Sequence, residues 1–94
     1  IRNSNAIIKD SKFSFSPQNK CIEGENGLLV FYNNILENCK FGFDIEKTDS
    51  SEFTAVIFLK NEFISIKHDA FNCHDRYDKK ANKVYLFLKD NTFK

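Results

Sequence analysis

The feature that most constrains this chain is an internal repeat. Four segments align without gaps: Ala6 to Phe13, Leu29 to Leu36, Val56 to Phe63 and Leu86 to Phe93. Each runs through an apolar stretch and a polar pair to an apolar residue two positions further on. Phe13, Leu36, Phe63 and Phe93 therefore share one phase, at steps of 23, 27 and 30 residues. A unit of that size cannot bury its apolar face alone, so copies must stack.

The phase predicts which side chains meet. Two positions before the shared apolar residue stand Ser11, Asn34, Asn61 and Asn91. On parallel strands about 4.8 Å apart, amides in such a column can hydrogen-bond along the stack. Five and seven positions before it lie Ile8, Phe31, Phe58 and Leu88, then Ala6, Leu29, Val56 and Leu86. Alternation puts both sets on one strand face, as columns filling a narrow core. A second apolar segment follows at Ile22, Ile45 and Phe71, and the polar connections after it (23–27, 46–54 and 72–83) vary in length. Asn26-Gly27 is a turn signal in the first of these.

Composition agrees with many strands joined at many corners. There are eleven Phe, eleven Asn and nine Ile, with no Met, no Trp and one Pro. Phe and Ile favour strands, while Asn tolerates the left-handed backbone of tight corners. The 94 residues read as one domain, 1–94, and the net charge of +1 argues against nucleic acid or an anionic membrane as partner. No apolar run approaches the roughly 20 residues of a membrane span. Cys21, Cys39 and Cys73 have no metal-ligand spacing. They read as buried thiols, with one disulfide and a spare as the other option.

The segments Asn-Asn-Ile-Leu-Glu-Asn-Cys (33–39) with Phe-Gly-Phe-Asp-Ile after it, Lys-Asn-Glu-Phe (60–63) with His-Asp-Ala-Phe after it, and Lys-Asp-Asn-Thr-Phe (89–93) carry a resemblance. The pattern resembles the right-handed parallel β-helix of the pectin-lyase-like superfamily, over nearly the whole chain. The fold it implies is all-β, a right-handed solenoid of about three to four coils. Catalytic members of that family are much longer and capped, so the expectation is a segment of a longer helix, or a unit whose ends a partner covers. The competing reading is a small antiparallel α+β domain. There, Leu28, Phe31, Tyr32, Ile35 and Cys39 would line a helix over 28–39, and 54–66 would form a hairpin with Phe58 facing Phe63.

Reactive side chains concentrate at Lys67, His68, Asp69, His74, Asp75, Arg76, Tyr77 and Asp78, on and beside the longest connection. For polysaccharide lyases of the family it resembles, the resemblance implies Ca²⁺ held by carboxylates and an Arg or Lys that removes the proton beside a uronate carboxylate. On this chain the candidates for that chemistry are Lys67 or Arg76 as the base with Asp69 beside it, Asp69, Asp75 and Asp78 as metal ligands, and His68, His74 and Tyr77 as substrate contacts. A hydrolase would instead oppose Asp44 or Glu46 to Asp69. The bland alternative is a solvated charged loop.

The strand faces turned away from the core carry Ile7, Val30, Ile57 and Phe87, with Tyr32 and Leu59 beside them. An exposed apolar stripe of this kind meets a covering segment or a protein partner, or stacks on sugar rings. The leading functional expectation is an extracellular or surface protein that binds or processes polysaccharide. The alternatives are a non-catalytic adhesive module and a small inhibitor or immunity protein.

Overall fold

The computed structural model describes residues 1, 4–47, 54–75 and 84–94, with side chains omitted for 46–47 and 73–75. Nine strands occupy them: β1 (Ala6–Lys9), β2 (Lys12–Ser14), β3 (Lys20–Gly24), β4 (Gly27–Tyr32), β5 (Ile35–Lys47), β6 (Thr54–Leu59), β7 (Glu62–Asp75), β8 (Val84–Lys89) and β9 (Thr92–Phe93). They form two sheets, ordered β1-β4-β6-β8 and β2-β5-β7-β9, with β3 added to β5. Every described pairing is parallel.

Both predicted architectures are corrected by this arrangement. The chain is not a closed right-handed solenoid: it is a compact body of 34 × 25 × 18 Å built from two parallel sheets. Strands β5 and β7 run 13 and 14 residues, so segments the repeat divides into short strands stay within one sheet. Three strand-to-strand steps also add only about 15 Å, too little depth to make a rod. The α+β reading fails as well, because the described residues contain no helix and 28–39 is β4, a corner and the start of β5. Phe58 and Phe63 do approach, with ring centroids 5.7 Å apart, but from different sheets rather than across a hairpin.

The register brings equivalent positions of the repeat side by side. Phe13 pairs with Leu36, Leu36 with Phe63 and Phe63 with Phe93. In the other sheet Ile8, Phe31, Phe58 and Leu88 form one row, and Ala6, Leu29, Val56 and Leu86 another. Between the sheets the rings of Phe31, Phe43, Phe58, Phe63 and Phe71 pack together, with Phe31 and Phe58 stacked at 4.6 Å. The second segment aligns differently from the sequence expectation, since Ile22 pairs with Phe43, and Phe43 with Phe71. Ile45 lies one alternation further along, opposite Gly24 and Cys73.

Corners between the sheets fall on one column. Asp10, Asn33, Lys60 and Asp90 all take left-handed backbone, at φ of 53° to 57°. Three of the four are Asn or Asp, whose short polar side chains tolerate that region. The residue after each is the polar column. Asn34 N–H and Asn34 Nδ2 both donate to Asn61 Oδ1, at 2.9 and 3.1 Å, and Asn61 repeats both bonds to Asn91 Oδ1. Each amide also donates one layer back, to the carbonyls of Ile8, Phe31 and Phe58. Ser11 suffices at the head of the column, because its backbone N–H donates to Asn34 Oδ1 and its hydroxyl bonds Lys9 O.

Two glycines are demanded by geometry. Gly27 has φ +119°, and a Cβ there would sit 2.0 Å from Ser4 O. At Gly42 a Cβ would meet the Phe63 ring at 2.8 Å. Cys21 and Cys39 form a disulfide with Cα atoms 5.6 Å apart, which corrects the buried-thiol reading for these two. Closing a loop of this size removes unfolded-state freedom worth about 3 kcal/mol in the chain-entropy picture.

Candidate functional site

Of the side chains singled out in 67–78, the structure places Lys67, His68 and Asp69 on β7, all exposed. His74 and Asp75 end that strand, registered with Glu46 and Lys47 of β5. Arg76, Tyr77 and Asp78 lie outside the described residues. Asp69 pairs with Phe41, just past a register shift between Cys39 and Phe41. Around it the His68 ring centroid is 5.7 Å from that of Phe41, and Lys40 Nζ lies 5.3 Å from the same ring. A half-buried aromatic face is thus bordered by an imidazole, an ammonium and a carboxylate.

Of the expected metal ligands Asp69 alone has a described side chain, since Asp75 is described in its backbone only and Asp78 lies outside the described residues. Among the described residues no group of three or more His, Cys, Asp and Glu is placed to hold a metal ion. Asp69 contributes one carboxylate, against the six to eight oxygens Ca²⁺ takes. The opposed-carboxylate pair is not assembled either. Asp44 registers with Asn72, three positions from Asp69, and is buried. Its oxygens are engaged by Lys20 Nζ at 2.7 Å and by Asn72 Nδ2 at 2.7 Å. Lys20 also meets Glu23 at 2.8 Å. Burial, the largest single influence, pulls the Lys20 ammonium down, yet the hydrogen bonds and charges of Asp44 and Glu23 together leave it above its ordinary value. This is a structural clasp across β3, β5 and β7.

The outer face of the β1-β4-β6-β8 sheet is more extensive. Ile7, Val30, Ile57 and Phe87 lie in one register row. Ile7 is 72% and Phe87 65% exposed, while Val30 and Ile57 between them are half-buried. Leu28, Ala55 and Tyr85 form the row on one side, and Lys9, Tyr32, Leu59 and Lys89 the row on the other. Leu28 and Tyr85 were not anticipated as members, although continuing the alternation back from Val30 and Phe87 points to both. Shallow apolar hollows open at either end, one of about 460 Å³ lined by Ala6, Ile7, Leu28 and Val30, the other of about 390 Å³ lined by Ile57, Leu59, Phe87 and Leu88. Parallel sheets are ordinarily covered on both faces, and here one face is bare among the described residues.

The fold and these surfaces define a class, an all-β protein of stacked parallel strands with an apolar outer sheet face. No family model matches the chain, and neither a curated protein nor a solved structure matches it.

Proposed function

We propose that this chain is a non-catalytic binding module that docks a protein partner on the outer face of its four-stranded sheet. The observation that carries the reading is the register of Ile7, Val30, Ile57 and Phe87, which lines apolar side chains across all four strands. Lys9 and Lys89 stand at the two ends of the neighbouring row, so the complementary surface is apolar with acidic flanks. An amphipathic helix with a Leu/Ile face bordered by Glu has that chemistry. Such a synthetic helix, immobilised, is expected to retain the chain, and Phe87→Lys is expected to weaken retention at least about tenfold while leaving the fold intact. Phe87 is exposed, so its charge change spares the core. Failure of the unaltered chain to bind the helix would sink the reading.

A second reading, carbohydrate binding or uronate cleavage at an extracellular or surface location, has two observations in its favour. One is the Phe41 ring with His68, Lys40 and Asp69 around it, since aromatic faces stack on sugars and the charged groups suit acidic ones. The other is the Cys21–Cys39 disulfide, which persists best in oxidising compartments. Uronate oligomers, with and without Ca²⁺, are then expected to shift the NMR signals of Phe41 and His68. Cleavage, if present, is expected to vanish in Asp69→Ala and Arg76→Ala. Unmoved signals at both rings would remove this reading.

A further inference from the structure

The clasp on Asp44 holds more chemistry than an ion pair needs. Lys20 Nζ lies 2.7 Å from Asp44 Oδ2 and 2.8 Å from Glu23 Oε2. Asn72 Nδ2 donates to the other oxygen of the same carboxyl, Oδ1, at 2.7 Å. One contact set thus contains a lysine nitrogen, a carboxyl group, a proton acceptor on the nitrogen and a donor on the second carboxyl oxygen. These are the parts of an acyl transfer: nucleophile, electrophile, base and oxyanion donor.

Three strands hold the set in place. Glu23 is directly opposite Asp44 in the register of β3 with β5, and Asn72 is opposite Asp44 in that of β5 with β7. Lys20 is therefore the cation shared by two adjacent acids. The Cys21–Cys39 disulfide begins one residue along from Lys20 and ties β3 to β5, which fixes the approach of the lysine. Of the two acids Asp44 is the electrophile, because its side chain is 4% exposed against 37% for Glu23. Bulk water is kept from the carboxyl that must lose an oxygen. A nitrogen already in hydrogen-bond contact has only a short way to move to the roughly 3–3.5 Å of a near-attack arrangement.

We infer that Lys20 and Asp44 condense to an intramolecular amide, a covalent cross-link between β3 and β5 that the chain makes itself. The ammonium proton shared with Asp44 crosses to Oδ2 and leaves an amine beside a neutral carboxyl. The amine lone pair forms the Nζ–Cγ bond, and the carbonyl electrons move onto Oδ1, where Asn72 Nδ2 donates. Glu23 takes a proton from the now cationic Nζ and returns it to Oδ2 as the Cγ–Oδ2 bond breaks. That oxygen departs as water, the electrons on Oδ1 restore the carbonyl, and Glu23 ends as it began. An ion pair is consumed, one amide and one water are formed, and nothing is oxidised or reduced. The charged pair is the resting form, and the two carboxylates that hold the ammonium are also the acceptors its protons need. This cross-link is independent of both binding readings, since neither uses Lys20, Glu23 or Asp44.

The test follows the intact mass of the full chain after refolding with its disulfide formed. A loss of one water is expected. After reduction, which removes the disulfide link between the same segments, trypsin is expected to leave fragment 13–40 joined to fragment 41–47. Lys20→Arg is expected to keep its full mass, and Asp44→Asn to lose one ammonia in place of water, because the leaving group is then the amide nitrogen. Glu23→Gln is expected to slow the mass change at least about a hundredfold, as removal of a general base does. A folded chain that keeps its full mass overturns the inference. So does a water loss that persists in Lys20→Arg, or one that leaves fragment 41–47 free, which would put the bond on Glu23 or elsewhere.

Discussion

Replacing Asn61 by alanine is expected to cost about 4 kcal/mol of folding stability. Asn61 is fully buried, and its amide joins three layers. Oδ1 accepts from the backbone N–H and the side-chain amide of Asn34, while Nδ2 donates to Phe31 O and Asn91 Oδ1. Removing it leaves a buried N–H and a buried carbonyl without partners, each worth about 1–3 kcal/mol. A chain of this length has roughly 5–14 kcal/mol in total, so a large fraction goes. Asn61→Asp is expected to be at least as damaging, since it keeps the acceptors, loses both donors and buries a charge. Urea denaturation checks both. A loss below about 1 kcal/mol for Asn61→Ala would mean the column does not form.

Phe58→Ala is expected to cost about 3–5 kcal/mol, the range for emptying a fully packed aromatic site. Its ring has no exposure and touches Phe31, Phe43, Phe63 and Phe71, with centroids 4.6, 5.3, 5.7 and 4.9 Å away. No small side-chain shift can refill that space, because its neighbours are rings held by both sheets. Phe87→Ala, in the neighbouring register row on the bare face, is expected to stay within about 0.5 kcal/mol. Denaturation midpoints for the pair decide the matter, and equal losses would show that the assigned inner and outer faces are wrong.

The candidate surfaces were legible to different degrees. The row Ile7, Val30, Ile57 and Phe87 follows from alternation once the repeat is aligned, and its outermost members are exposed. The cluster on Phe41 was not legible, because it depends on a register shift after Cys39 that sets Asp69, rather than His68, opposite the ring. Nor does the spacing of Asp44 announce that its carboxylate is spent on Lys20 and Asn72. Lys20 arrives from β3 and Asn72 from β7, so the clasp exists only after three distant segments align.

By itself, the amino-acid order determined the phase of the repeat and the polar column. These are properties of equivalent positions one layer apart, and strand alternation encodes them locally. Tertiary structure alone decided the rest: two parallel sheets in place of a closed coil, Phe43 rather than Ile45 opposite Ile22, and the Cys21–Cys39 bridge. The register of Ile22 has a plain physical reason. Apolar residues two apart satisfy strand alternation equally well, and only the packing of rings between the sheets, with Phe43 edge-on to Phe31 and Phe58, selects one of them.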